Sequence, residues 1–295
     1  MPATPTPDAR GDYQTEVAII GAGVAGLFAA TRLPNGCDVV IVDKGTPGRS
    51  GSSPWAQGGM AVAVGPEDSP ELHAEDTIAA SDGLVDPAAV AVLTSDAPRR
   101  VRELIGLGAQ FDTDDAGDLH LAREGGQQVA RSVHRADATG AEMVRVLREA
   151  AAPRVQRLTG TAFELAMAAG RVVGIWVADD EGQVRLLRAK AVLLATGGCG
   201  GLFAATTNQD HATGDGVALA WLAGAALRDL EFVQFHPTGL AVSGNWRFLL
   251  TEALRGAGAT LHDEDGKRFM PALHPDAELA PRHVVAKALL GLGRG

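Results

Sequence analysis

The chain has 295 residues, 46% of them apolar and 21% charged, and a formal net charge of −10; that suffices for one large domain or two smaller ones of ordinary soluble composition. The acidic balance argues against nucleic acid or an anionic membrane as a partner, and no apolar run approaches the length of a membrane span. Two distant cysteines, Cys37 and Cys199, argue against a disulfide framework or a metal site and fit a reducing cytoplasm.

Residues 1–12 are polar and proline-rich and read as a disordered tail rather than a signal peptide. The apolar run at 16–20 (EVAII) meets Gly21-Ala22-Gly23-Val24-Ala25-Gly26 at once. Good helix formers follow to Leu33, Asn35-Gly36 breaks them, and a second β-branched run (DVVIV) ends at Asp43. Strand, glycine turn, helix and strand make a βαβ unit. A Gly/Ser-rich loop runs from Gly45 to Gly59. Helices are expected over Ser69–Ser81, Asp86–Leu107 and Gly140–Ala152, with a polar loop between the last two that carries His120, Glu124, Arg131, His134 and Arg135. Val155–Leu165 and Arg171–Val177 read as strands, Gly182–Leu187 as a hairpin partner, and Ala191–Ala195 as a strand buried on both faces. Gly214–Ala226 reads as a buried helix. The chain then changes character, so 13–230 is expected to be one domain and 231–295 the start of another, with a last helix from near Pro281.

A lone GxGxxG is a weak signal. Here it has a strand before it, a helix after it and an acidic residue about twenty positions on. Gly21 permits the tight turn, Gly23 lets backbone approach a pyrophosphate, and Gly26 allows helix and strand to pack closely. The phosphates belong at the helix N-terminus, and Asp43 is placed to accept from a ribose hydroxyl. The motif does not separate NAD from FAD. Three later features favour FAD. They are the small-residue loop Gly51-Ser52-Ser53-Pro54-Trp55-Ala56-Gln57-Gly58-Gly59, the apolar strand ending in Thr196-Gly197-Gly198, and Thr213-Gly214-Asp215-Gly216. For Asp215 a plain helix N-cap reads equally well. Lys44, Thr161 and Ala162 complete the expected cofactor set.

Together these motifs resemble the succinate dehydrogenase, fumarate reductase and L-aspartate oxidase flavoprotein superfamily from about Thr15 to Leu289. WAQGGMAVAV, ATGG, TGDG, EFVQFHPTG and LLTEALRGAGA carry the resemblance, and RFMP and LAPRHVVAKAL add to it. It implies an α/β fold: a Rossmann-type, glutathione-reductase-like FAD-binding domain with an incomplete α+β capping domain. Two positions resemble the L-aspartate oxidases within that superfamily. Ser52 stands where succinate dehydrogenases carry a histidine joined covalently to FAD, and serine cannot form that link, so a noncovalent FAD is expected. Glu124, in Arg123-Glu124-Gly125-Gly126, matches a glutamate near the substrate amino group, where a carboxylate recognises an ammonium that succinate lacks. Without the resemblance, a solvated loop charge would be the simpler reading.

The resemblance further implies that His236 and Thr251 bind a substrate carboxylate. It makes Arg282 the arginine that moves a proton at the substrate carbon, and Glu252 and Arg255 a relay linked to it. Their i, i+3 spacing would share one helical face; an interface salt-bridge network would use the same residue types. The implied reaction is oxidation of L-aspartate to iminoaspartate, with O2 or fumarate as acceptor, opening NAD biosynthesis through quinolinate. Quinolinate synthase is the implied protein partner. A soluble fumarate reductase or succinate oxidase, a noncatalytic FAD-binding fragment and a nicotinamide dehydrogenase are the competing readings. Superfamily members continue beyond the last residue here, so weak FAD binding and poor turnover are expected of this chain alone.

Overall fold

A computed structural model describes residues 4–9, 11–45, 51–240 and 248–292. The expected βαβ unit is β1 (Tyr13–Ile20), α1 (Val24–Arg32) and β2 (Val39–Asp43). Then come β3 (Met60–Ala61), α2 (Pro70–Ala79), α3 (Pro87–Gly106), β4 (Leu121–Ala122), β5 (Ser132–Val133) and α4 (Thr139–Ala151). Strands β6 (Gln156–Thr159), β7 (Thr161–Ala168), β8 (Arg171–Ala178) and β9 (Val184–Leu194) follow, and then α5 (Asp215–Leu222), α6 (Ala253–Gly256) and α7 (Arg282–Gly291). The helix starts follow from their caps. Ser69 Oγ accepts from Leu72 N–H ahead of Pro70, and Asp86 Oδ1 accepts from Ala88 and Ala89 N–H ahead of Pro87.

Contacts divide the chain into two units, 1–56 with 140–233 and 57–139 with 234–295. The division near 233 falls close to the expected boundary, but 57–139 do not group with the dinucleotide-binding residues as expected. The excursion closes on itself: Gly140 N–H donates to Ala56 O at 2.9 Å. A Cβ on Gly140 would lie 2.0 Å from Ser53 O, so only glycine lets the departing and returning strands of chain meet there. Asp8, Gly11 and Asp12, inside the stretch read as a tail, are hydrogen-bonded to one another ahead of β1.

The first unit is built on a six-stranded sheet in the order β6-β2-β1-β9-β8-β7. β6, β2, β1 and β9 run parallel, and β8 and β7 antiparallel. Ala18, Ile19 and Ile20 of β1 and Val39–Val42 of β2 are buried, as centre strands must be. Four expectations are corrected or refined here. Val155–Leu165 is two strands, because Gly160 (φ +155°) breaks the run and sends β6 and β7 to opposite edges of the sheet. The hairpin partner expected at Gly182–Leu187 is present, pairing antiparallel with β8 over Val184–Arg188, but it is not separate from the run at Ala191–Ala195: both belong to the single strand β9, which pairs with β1 over Leu187–Leu194. Its apolar end is not buried on both faces: Leu193 is 39% exposed. Nor is the helix after Gly214 buried. Trp221 and Leu222 of α5 are 66% and 74% exposed, while Gly216 and Leu219 face the sheet.

The second unit holds a small sheet, β3-β5-β4, the pair α2 and α3, and a separate apolar cluster of Phe269, Met270, Ala280 and Val285. Among the described residues no helix is long and apolar enough to cross a membrane, and no group of His, Cys, Asp or Glu side chains is arranged to hold a metal ion.

Candidate functional site

In the first unit the C-terminal ends of β1, β2 and β9 open into a cleft of about 430 Å³, in the size range of ligand sites and where parallel sheets bind ligands. Its wall from β1 into α1 is Gly21 to Ala25. A Cβ on Gly21 (φ +109°) would lie 2.3 Å from Ala195 O, and one on Gly26 would lie 2.0 Å from Gly21 O. Glycine at both positions is therefore demanded by packing, and bare backbone is left to line the cleft. Gly23 is the N-cap of α1 and offers no side chain. Instead Ser53 Oγ accepts from Val24 N–H at 3.2 Å, marking an oxygen position at the positive end of the helix.

At the rim, Asp43 ends β2 and lies 3.7 Å from Arg157 Nη2. Lys44 Nζ is 2.6 Å from both Thr213 Oγ1 and Asp215 Oδ2. Asp215 is not the N-cap: Gly214 is, at φ +73°, and Asp215 is the first helical residue, its carboxylate turned to Lys44 and Thr213. Although burial opposes the charge, these hydrogen bonds hold the Asp215 carboxyl below its usual range. Of the expected cofactor residues, Gly21–Ala25, Asp43, Lys44, Gly51–Ser53, Ala162, Gly197 and Asp215 line the cleft. Gly26 packs beneath the turn, and Thr161 points to the opposite face of β7 from Ala162 and is exposed. Pro54, Trp55 and Ala56 lie outside the lining, and Gln57, Gly58 and Gly59 belong to the second unit. The cleft adds Gly160 and His211, which the sequence reading passed over, and brings in Thr196 and Gly198 from the strand end that favoured FAD. His211 was discoverable from its position two residues before TGDG. A glycine floor, an acidic strand end and a helix N-terminus fit a dinucleotide.

Every residue expected on the substrate side lies in the second unit. Glu252 is the N-cap of the short helix α6 and is 9% exposed. Its Oε1 accepts from Arg255 Nη2 at 2.6 Å and its Oε2 from Arg282 Nη2 at 2.8 Å. The i, i+3 pair thus sits on one helical turn, and Arg282, the first residue of α7, joins it. Burial opposes the Glu252 charge, but the two guanidinium groups win and hold the carboxyl below its usual value. Burial likewise works against the Arg282 charge, yet Glu252 and the nearby Glu124 hold its pKa above the ordinary arginine value. Arg282 also donates to Gln234 Oε1 at 2.9 Å.

His236 is half-buried. Thr238 N–H donates to its Nδ1 at 3.2 Å, which puts the ring proton on Nε2. Burial first, then the Arg282 charge, push its pKa down to about 4, so it is a neutral donor at pH 7. Thr251 Oγ1 accepts from Ala253 N–H at 3.3 Å, which leaves its hydroxyl proton to donate elsewhere. Glu124 is fixed by Gly59 N–H, which donates to its Oε1 at 3.3 Å, and by its own N–H, which donates to Gln127 Oε1 at 2.9 Å. Sequence reading missed Gln127 and Gln234, although Gln234 lies inside EFVQFHPTG.

The FAD binding domain family matches residues 16–294. The chain is 47% identical over 281 residues to an L-aspartate oxidase from Nostoc sp., covering 94% of this chain and 48% of that protein. It is 48% identical over 286 residues to an L-aspartate oxidase from Streptomyces coelicolor, covering 93% and 49%. Among solved structures it is similar to an E. coli quinol fumarate reductase, with a TM-score of 0.89, 32% identity and coverage of 96% and 51%. The chain therefore spans about half the length of the curated relatives it matches.

Proposed function

The chain belongs to the FAD binding domain family and FAD is its cofactor; from that premise we propose that it carries the chemistry of an L-aspartate oxidase. A hydride leaves the α-carbon of L-aspartate with its electron pair, the amino nitrogen gives one proton to the Arg282 relay, and the C=N bond of iminoaspartate forms. Bound FAD supplies the two-electron acceptor, and O2 or fumarate takes the electrons onward. The product feeds quinolinate formation, and quinolinate synthase is the protein partner in this reading.

The observation that carries the proposal is the continuous Arg282–Glu252–Arg255 chain in the same unit as Glu124 and a neutral His236. In this reading His236 Nε2–H and the Thr251 hydroxyl bind a substrate carboxylate, and Glu124 binds the ammonium that distinguishes aspartate from succinate. Arg282 is assigned in this reading to the proton that moves at the substrate. A guanidinium held charged by two carboxylates is a ready donor; to accept a proton it must first pass one to Glu252. That is a reason for a relay rather than a lone arginine. Ser52, whose Oγ donates to Asn208 Oδ1 at 3.3 Å, cannot anchor the flavin covalently, so acid precipitation should leave the FAD in the supernatant.

The test is anaerobic addition of L-aspartate to the FAD-loaded protein. Bleaching of the flavin absorbance is expected in wild type, and Arg282→Leu should slow it by about a hundredfold or more with FAD still bound. A flavin that stays oxidised with aspartate but, once reduced with dithionite, is reoxidised by fumarate would favour the second reading, a soluble fumarate reductase. The similarity to a quinol fumarate reductase supports that alternative.

A further inference from the structure

We propose that Glu278 is a positioning residue: its side chain holds one short run of backbone, 278–282, that couples the Arg255–Glu252–Arg282 chain to the loop carrying Glu124. The proposal rests on the functional reading above and extends it to a residue outside the reacting groups.

Glu278 sits in the 3-10 turn Ala277–Leu279 and is 4% exposed. Its carboxylate is locked from two sides. Arg268 donates through Nε at 3.0 Å and Nη2 at 2.6 Å, a bidentate pair, and Leu261 N–H donates at 3.1 Å. The Arg268 hydrogen bonds first, and the backbone N–H after them, hold the carboxyl down at about 2. Just before it, Ala277 has φ +47°, a left-handed conformation that an alanine keeps only when its surroundings fix it.

The run that this carboxylate anchors makes three contacts with the site, none through Glu278's own side chain. Glu278 O accepts from Arg255 Nη1 at 2.7 Å. Leu279 O accepts from Gly126 N–H at 3.2 Å. Arg282 opens α7 and bonds Glu252. The fit against the Glu124 loop is close: a Cβ on Gly125 would lie 3.1 Å from Ala280 O and 3.2 Å from Leu279 O. Release of the carboxylate would therefore loosen the relay and the Glu124 loop together, and neither could be reset without the other.

The test uses the FAD-loaded protein with Glu278→Ala, Glu278→Gln and Arg268→Met, read by hydrogen exchange and by turnover. In Glu278→Ala, amide exchange should quicken in both 123–127 and 252–258. Gln, which keeps an acceptor for Leu261 N–H but loses the charge, should fall between. FAD affinity should be unchanged, kcat with aspartate should fall by about tenfold or more, and the pH profile of kcat should move, which a loss of bulk stability alone would not cause. A folded Glu278→Ala with wild-type exchange in those two segments overturns the proposal. Should that variant not fold, Arg268→Met answers the same question by the same exchange measurement. If exchange responds in both segments while wild type never oxidises aspartate, the coupling stands and the functional reading falls.

Discussion

Two side chains carry consequences that do not depend on their neighbours moving. Glu124 is expected to select for the amino group, so Glu124→Gln should weaken L-aspartate turnover far more than fumarate turnover. Steady-state kcat/KM on both substrates checks this, and equal losses would remove Glu124 from recognition. His236 gives a pH prediction. Its folded pKa of about 4 lies below the ordinary 6.5, so as pH falls the unfolded chain takes up the proton first. Its contribution to stability is therefore full above 6.5 and lost as pH falls from 6.5 toward 4. Urea midpoints across that window should decline on acidification, and His236→Gln should flatten the slope. Dicarboxylate affinity should show no inflection near 6.5. The contacts among Glu252, Arg255 and Arg282 were legible through the family resemblance and not through spacing alone: Glu252 bonds both arginines. Their supports were not. Glu278 reaches Arg255 through a main-chain carbonyl, and a carbonyl is the same in every residue type.

At the level of elements, local signals told the truth where local forces decide. Pro70 after Ser69 and Pro87 after Asp86 started helices where capping chemistry puts them. The β-rich stretch from 155 to 194 was read as strands, but its partition was hidden. Which edge a strand joins depends on distant partners, as β6 beside β2 and β7 beside β8 demonstrate. The glycine turn after β1 was legible in full. There a Cβ on Gly26 would sit 2.0 Å from backbone Gly21 O, and backbone cannot rotate aside. Gly26→Ala should therefore destabilise the first unit by about 3 kcal/mol or more, at or beyond the usual cost of overpacking. A denaturant titration would measure it, and an unchanged midpoint would mean that β1 and α1 part more readily than their packing implies.

Over the whole molecule, the sequence suggests a single break near Leu230, whereas the chain leaves the first unit at Gln57 and returns at Gly140. Nothing local announces such an excursion, since Ala56 and Gly140 meet only in space. The same scale explains a surface that composition conceals. Val217, Trp221 and Leu222 of α5 are exposed, and so are Leu230 and Phe232. Apolar surface of that kind on one unit promotes association. The chain should bind the dye ANS and scatter light increasingly with concentration, and Trp221→Lys with Leu222→Glu should lower both signals.

The Lys44–Asp215 pair at the cleft rim also bears on ionic strength. Among the described residues lining the cleft, Asp43 and Asp215 are acidic and Lys44 is the basic one, already committed to Asp215 and Thr213. Arg157 stands beside Asp43 at the rim, so among the described residues the cations there are already paired, and a pyrophosphate approaching a chain of net charge −10 is repelled on the way in and held chiefly by backbone amides. Added salt screens the repulsion over distances near 8 Å at about 0.15 M while leaving short amide contacts intact. FAD should accordingly associate faster as salt rises, the reverse of what a lysine-lined phosphate site would do, and stopped-flow quenching of flavin fluorescence would read the sign directly.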